Sequence, residues 1–292
     1  MTIPDELKHL IRTDEPLAPL VWLGIGGPAR FYAEPLDFAQ FAEVQRWALE
    51  SQLTLRVIGG GSNLLVRESG FDGVVVSLSS AETSGFAINE NRLTVGAGAK
   101  LSHAVVKAIG NGLGGLGHLI GIPGTVGAAV VGNVSSGGRE IGSLVESVSV
   151  MEPDGTLKRW PAADCGFTHR KTSLTGTTIV DVEFRLEPGD QNDLTKQCQK
   201  LWIARNASRP AQPDRIAMPF IDPDGMPVRE LIQNVGLAGI REGDVALDSN
   251  EPQYLVTHSG ATSDQCLKLI DRVREQVLLQ TGIDLQLNLQ IW

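Results

Sequence analysis

The sequence predicts an α+β fold, and three observations carry that prediction. Helical and strand periodicities are mixed along the chain without a repeating βαβ unit. Short apolar runs separated by glycines and polar residues crowd the stretch from Thr54 to Val95. A helical pattern from Asp264 to Leu279, with Leu267, Ile270, Val273 and Val277 in phase, gives way to a strict alternation of Leu285, Leu287, Leu289 and Ile291.

Each element follows from its own signals. Asp37 opens a helix: an acidic N-cap with Gln40 three residues on, and Phe38, Phe41, Val44 and Trp47 on one face. Strands are predicted at Thr54 to Ile58, Leu64 to Val66, Gly73 to Leu78, Phe86 to Ile88 and Arg92 to Val95, then a helix from Lys100 to Ile109. The segment GNGLGGLGHLIGIPGTVGAAVVGNVSSGG is too apolar for a linker and too broken for a membrane span. It reads as a buried, tightly turning stretch whose backbone lines a cavity. Strands resume at Val145 to Met151, before a Pro153-Asp154-Gly155 turn, and at Thr178 to Leu186. EPGD (Glu187 to Asp190) reads as a boundary. A helix from about Asp193 to Ala204, the proline-punctuated run PAQPDRIAMPFIDPDGMP and a helix from Arg229 to Val235 complete the pattern. The expected organisation is residues 1–190 as one domain, with subdomains of about 1–80 and 81–190, followed by a smaller domain over 191–292.

Composition bounds the function. With 292 residues, 42% apolar and 20% charged, the chain has the make-up of a globular protein. A net charge of −9 argues against a nucleic-acid or anionic-membrane partner, both of which need positive fields, but leaves room for an anionic small ligand. MTIPDELKHLIRTDEPL has no continuous apolar core of a secretory signal, and no run is long enough to span a bilayer. Three scattered cysteines, Cys165, Cys198 and Cys266, make neither a disulfide framework nor a zinc site, and Cys165 with His169 supplies only two ligands. A cytoplasmic protein with reduced thiols and no metal is expected.

The stretch VIGGGSNLLV, from Val57 to Val66, places three glycines, a serine and an asparagine between two apolar runs. Glycine reaches positive φ without steric cost, so a tight turn is one reading. A loop whose backbone closely approaches a phosphate is the other. A dinucleotide fingerprint is excluded because G-x-G-x-x-G is absent and a strand follows, and a Walker loop because no G-K-[ST] follows.

Several stretches together resemble one family: LGIGGPARFYAEP, VIGGGSNLLVRESGFDGVVV, GLGGLGHLIGIPGTVGAAVVGNV, HRKTS and RELIQNVGLAGIREGDVAL. They look like the UDP-N-acetylenolpyruvoylglucosamine reductases of peptidoglycan precursor synthesis, in order from about Pro16 to Leu289 and in the compact form that lacks an insertion after Leu186. The resemblance implies an FAD-binding domain of the p-cresol methylhydroxylase and vanillyl-alcohol oxidase type. It also implies NADPH as reductant, a UDP-sugar substrate, and a monomer or small homo-oligomer. Gly59, Gly60, Gly61, Ser62, Asn63 and Leu64 would wrap the FAD diphosphate. Ile122, Pro123, Gly124, Thr125 and Gly127 would run beside the isoalloxazine and ribityl region, although Pro123 also suits the first turn of a helix. Ile179 and Val180 would complete the surround, a place that core packing explains equally well. The family's Tyr-Arg-x-Ser stands here as His169-Arg170-Lys171-Thr172, so Arg170 would bind the substrate carboxylate with its forked, permanently charged donor.

Two departures fall on the chemistry. The family's proton-donating serine maps to Met218 within Ala217-Met218-Pro219-Phe220-Ile221-Asp222-Pro223, and the loop from Pro213 to Phe220 is shorter than the family's. The family's glutamate maps to Asn288 within Leu285-Gln286-Leu287-Asn288-Leu289. Neither a thioether nor an amide is a general acid, a role commonly worth about 10²–10⁴-fold in rate. Substitutes are His169, an imidazole, and Asp222, which equally suits the turn before Pro223. Three readings follow: the family's own reductase with altered acids, a flavoprotein paralogue acting on another substrate, and a non-catalytic FAD-binding protein.

Overall fold

The computed structural model describes residues 2–80, 82–210, 215–223 and 226–292. Positions 211–214 and 224–225 of the proline-punctuated run, with Pro213 at the start of the shortened loop, lie outside the described residues. The chain divides into two compact units. One comprises Met1–Thr13, Phe31–Gly60 and Asp72–Ala207, the other Asp14–Arg30, Gly61–Phe71 and Ser208–Trp292.

In the first unit, helix α1 (Phe38–Glu50) begins where its cap predicts. Asp37 accepts the Gln40 amide at 2.7 Å, while the Gln40 side chain turns back to the Leu36 amide at 2.8 Å. Its buried stripe of Phe41, Val44 and Trp47 packs on Phe31, Val74 and Val76, with the Phe31 and Trp47 rings edge-on at 5.1 Å. Those partners come from a four-stranded sheet built of β1 (Ile11–Pro16), β2 (Pro28–Ala33), β3 (Leu55–Ile58) and β5 (Phe71–Ser77), in the order β1-β2-β5-β3. The two-residue β4 (Leu64–Leu65) lies outside it. β3 and β5 run parallel, with Leu55 opposite Val74.

The second sheet of this unit is antiparallel. Its order is Leu157–Pro161, Val145–Met151, Thr178–Arg185, β7 (Arg92–Gly96) and β6 (Phe86–Asn89). Helices α2 (Leu101–Gly110) and α3 (Val126–Val131) bury Leu101, Val105, Val126 and Val130 together with Val95, Val148 and Phe184. The strand Thr178–Arg185 serves two cores: Ile179 and Val182 belong to this one and Val180 to the core under α1, because a register shift against Val145–Met151 between Ile179 and Asp181 breaks the two-residue alternation. Helix α4 (Gln191–Ala207) closes the unit, and none of its residues is buried.

In the second unit, α6 (Ser263–Thr281) starts with a full capping box between Thr262 and Gln265. It ends at Gly282 in the left-handed conformation, φ 75°. It buries Cys266, Leu269, Ile270, Val273 and Val277, joined by Leu231 and Ile232 of α5 (Val228–Asn234) and by Leu23, Ile25 and Leu65 from early segments. The accompanying antiparallel sheet is ordered Ile216–Ala217, Leu255–Thr257, Val245–Leu247 and Arg241–Glu242.

The alternation predicted over Leu285 to Ile291 does not form one half-buried strand. Leu285 and Leu289 are buried, but Leu287 is exposed, and only Gln290–Ile291 is strand. The segment changes partner midway. Ile221 donates to the Gln286 carbonyl and Asn288 to the Pro219 carbonyl, whereas Gln290 and Ile291 pair in parallel with β4.

Glu68 ties the segment after β4 to α6, accepting the Ser263 amide at 2.5 Å and the Ser263 hydroxyl. Burial alone would raise its carboxyl, but these two bonds outweigh it and hold it below the usual carboxylate range. A depressed folded-state value contributes stability present above the unfolded value of about 4.3 and lost as pH falls through the folded one. Glu68→Gln is expected to lower Tm at pH 7, with the gap to wild type closing as pH falls below the unfolded value of about 4.3 and the wild-type carboxyl protonates. Thermal melts of both proteins across that range check it.

Candidate functional site

The glycines of the loop after β3 are required by the chain itself. A Cβ on Gly60 would lie 2.8 Å from the Gly124 Cα, and one on Gly59 would lie 2.8 Å from Thr125 Oγ1 and 3.0 Å from the Ala128 Cβ. Gly61 has φ 63°, and its Cβ would run into the Leu20 carbonyl. The partner segment is the second glycine-rich motif, anchored on the end of β7 and its extension. Val126 donates to the Ala99 carbonyl at 2.8 Å, Gly127 to the Ala97 carbonyl at 2.9 Å, and Leu101 to the Gly124 carbonyl at 3.0 Å. Gly127 has no room for a side chain, since its Cβ would meet that of Ala97 at 2.9 Å. Thr125 caps α3 by accepting the Ala128 amide at 3.4 Å, so Pro123 stands before the cap rather than in the first turn. Ile122 packs on the core, Leu64 is buried in β4, and Ile179 and Val180 are core residues.

Among the described residues, the amides of Gly59 to Asn63 make no backbone hydrogen bond within the chain. A run of unspent N–H groups with almost no side-chain bulk is the donor set that a diphosphate takes. The residues present therefore fit the phosphates of FAD.

A second constellation, in the first unit, centres on the hairpin Ser135–Ser136 and Arg139–Glu140. Its two-residue turn, Gly137 and Gly138, has φ 59° and 73°. Asn133 is fully buried and organises it, donating to Glu140 Oε2 at 2.7 Å and the Thr168 carbonyl at 2.8 Å and accepting the Gly142 amide at 3.0 Å. Glu140 in turn faces His169 Nδ1 at 3.3 Å. Arg170 sits in the left-handed conformation, φ 57°, within the tight Thr168–Lys171 turn, and donates to the Ser135 carbonyl at 3.3 Å. Arg205, from the last turn of α4, donates to the Ser136 hydroxyl and to the His118 carbonyl at 3.1 Å. The hydroxyl of Thr172 donates to the Val131 carbonyl at 2.8 Å. Burial pushes the His118 ring down, against the hydrogen bond to the Gly115 carbonyl, with the nearby Arg139 and Arg205 charges adding to the lowering. The hairpin thus collects Arg170 and Arg205, two guanidinium groups, on adjacent serines. Sequence reasoning passed over Asn133, Ser135, Ser136, Glu140 and Arg205, although SSGGRE carries the two-glycine hairpin signal.

A third constellation, in the second unit, joins three of the sequence-predicted positions. Asn288 Nδ2 donates to the Met218 carbonyl at 3.0 Å and to Asn63 Oδ1 at 3.3 Å, and Asn63 Nδ2 donates to the Asn288 carbonyl. Asp222 is placed differently: its carboxylate accepts the Val228 amide at 2.9 Å and anchors the start of α5. Burial raises all three cysteine thiols and pushes Cys266 to about 12, away from thiolate character. Among the described residues no cluster of histidine, cysteine and acidic side chains could hold a metal ion.

The chain matches the model of an FAD binding domain over residues 29–160 and that of the UDP-N-acetylenolpyruvoylglucosamine reductase C-terminal domain over 209–292. Fold and glycine loops together define a two-part FAD-dependent oxidoreductase whose cofactor domain is of the p-cresol methylhydroxylase type. A UDP-N-acetylenolpyruvoylglucosamine reductase of Rhodopirellula baltica is 59% identical over 289 residues, covering 99% of this chain and 95% of the relative. One of Carboxydothermus hydrogenoformans is 32% identical, covering 95% and 92%. The crystal structure of UDP-N-acetylenolpyruvylglucosamine reductase from Thermus caldophilus superposes with a TM-score of 0.82 at 27% identity, covering 97% and 99%. The chain belongs to the UDP-N-acetylenolpyruvoylglucosamine reductase family.

The packing at Gly60 gives a direct test. Gly60→Ala drives a methyl group into the Gly124 backbone, and overpacking of this kind costs about 1–3 kcal/mol. Its denaturant midpoint is expected to fall, whereas Gly137→Ala at the open hairpin turn, where a Cβ meets nothing within 4 Å, carries only the strain of positive φ. Urea titration of both variants checks the difference.

Proposed function

We propose that this chain reduces UDP-N-acetylglucosamine enolpyruvate to UDP-N-acetylmuramate, with FAD as cofactor and NADPH as reductant. The observation that carries the reading is the 59% identity to a reductase of that name, running through 99% of the chain. Gly59, Gly60, Gly61, Ser62, Asn63 and Leu64 line the diphosphate in this reading, and Ile122, Pro123, Gly124, Thr125 and Gly127 lie beside the flavin, with Ile179 and Val180 behind them. Bound FAD supplies the hydride for C3 of the enolpyruvyl ether. Arg170 holds the substrate carboxylate and stabilises the charge that develops at C2. Its position on the Ser135 carbonyl, in a backbone conformation that costs a non-glycine residue energy, supports a role beyond a surface charge. Asp222 is committed to α5, and His169, next to Arg170 in sequence and facing Glu140, is the group this reading offers for the proton at C2.

The same reading assigns the cofactor to residues 1–190 and the substrate to 191–292, supported by matched models at 29–160 and 209–292. It places the protein in the cytoplasm as a monomer or small homo-oligomer without nucleic-acid or membrane partners. No described helix is long and apolar enough to cross a membrane.

A second reading, a flavoprotein that keeps FAD and acts on another substrate or on none, is favoured by Met218 and Asn288, which offer no acid at the family's two acid positions. One experiment separates the two. The purified protein is expected to carry flavin, to bleach with NADPH, and to reoxidise on adding UDP-N-acetylglucosamine enolpyruvate without oxygen. Bleaching with no substrate-dependent reoxidation supports the second reading. Arg170→Ala is expected to lower kcat/KM for the enolpyruvyl substrate at least about 100-fold while NADPH bleaching persists, the loss typical of a charge-stabilising donor.

A further inference from the structure

Position 288 does more in this chain than leave an acid out. Asn288 Nδ2 is spent on two oxygens, the Met218 carbonyl and Asn63 Oδ1, at 3.0 and 3.3 Å. Its own carbonyl accepts from Asn63 Nδ2, and the Asn63 carbonyl accepts the Gln290 amide at 3.0 Å. Asn63 is therefore held at three atoms by residues 288 to 290, and both ends of its side-chain amide are occupied. The orientation of the Asn288 amide is forced. Turned over, its oxygen would face two other acceptors at hydrogen-bond distance. A carboxylate at 288 would do the same and carry a charge. Asn63 closes the glycine loop, immediately before β4.

We propose that Asn288 is a positioning residue for the cofactor loop, fixing Gly61 to Asn63 through the Asn63 side chain, so that FAD affinity depends on a hydrogen-bond donor at position 288. The inference rests on the reading that this loop holds FAD. It also reassigns Asn63 from a phosphate contact to a clamp: its side chain faces residue 288, and its backbone amide remains for the ligand. Asn288 and Met218 then belong together, because the donor at 288 reaches the backbone at 218 and needs no side chain there.

The test is the dissociation constant of FAD from protein stripped of flavin, read by quenching of flavin fluorescence. Asn288→Asp keeps the volume and turns the donor into an acceptor. It is expected to weaken FAD binding at least about tenfold at pH 8, the order expected when part-buried hydrogen bonds are replaced by facing acceptors. Between pH 8 and about pH 5 its affinity is expected to recover toward wild type as the carboxyl, raised by the two oxygens it faces, takes up a proton and becomes a donor again. A merely structural defect would not reverse in this way. Should Asn288→Asp fail to fold, Asn63→Ala reads the same clamp and is expected to weaken FAD by a similar factor, with Gln286→Ala, exposed in the same segment, matching wild type. Asn288→Asp or Asn63→Ala binding FAD within twofold of wild type overturns the proposal, as does a loss at Asn288→Asp that is equal at pH 5 and pH 8. Wild-type protein that takes up no FAD overturns the flavin reading itself, and this inference with it.

Discussion

The constraint on which the cofactor region depends is the absence of space between two glycine-rich turns. Gly59 and Gly60 lie so close to Gly124, Thr125 and Ala128 that neither can carry a Cβ in place. That contact fixes the GIPGTVG segment, already held by the Ala97 and Ala99 carbonyls, against the end of β3. The same stretch leaves the amides of Gly59 to Asn63 without backbone acceptors among the described residues, the donor set by which an acidic chain could take an anion without lysines or arginines. Close packing and close approach to a phosphate ask for the same residue type, so the packing seen here is compatible with either explanation of the glycines.

Away from the glycine loops, asparagines do the organising. Asn133 is buried, with three hydrogen bonds that set the hairpin, Glu140 and the Thr168 turn. Asn63 and Asn288 play the matching part in the second unit. An amide side chain suits a junction because it donates and accepts along one plane, and leaving such a group buried and unpaired costs about 1–3 kcal/mol. Each junction therefore has few alternative arrangements, and the guanidinium of Arg170 inherits that rigidity through the turn it occupies.

Much of this was legible in the sequence. The Asp37 cap, the strand Val145–Met151 and helix α6 sit where their spacing puts them, since local signals decide a cap or a long amphipathic stripe. The glycine motifs were legible because they are dense and because the resemblance covers nearly the whole chain. Three things were not. The alternation ending in Ile291 looked like one strand, and no local pattern announces that its partner changes between Asn288 and Gln290. The interleaving of early segments with the C-terminal unit is a property of long-range packing: Leu23 and Leu65 look like any other buried leucines until α6 is beside them. The pairing of Asn63 with Asn288 was hidden for the same reason, since the two lie 225 residues apart.

That separation also bears on the order in which the protein can be made. Leu64 and Leu65 pair with Gln290 and Ile291, and the second unit draws on Asp14–Arg30, Gly61–Phe71 and Ser208–Trp292. On the ribosome the glycine loop emerges long before the strand that pairs beside it, so that pairing waits until residues 290 and 291 have been translated. Contacts this distant slow folding, because the entropy of closing the intervening chain is lost before any bond is gained. The surroundings of the glycine motif are therefore completed late, by residues that emerge long after the motif itself.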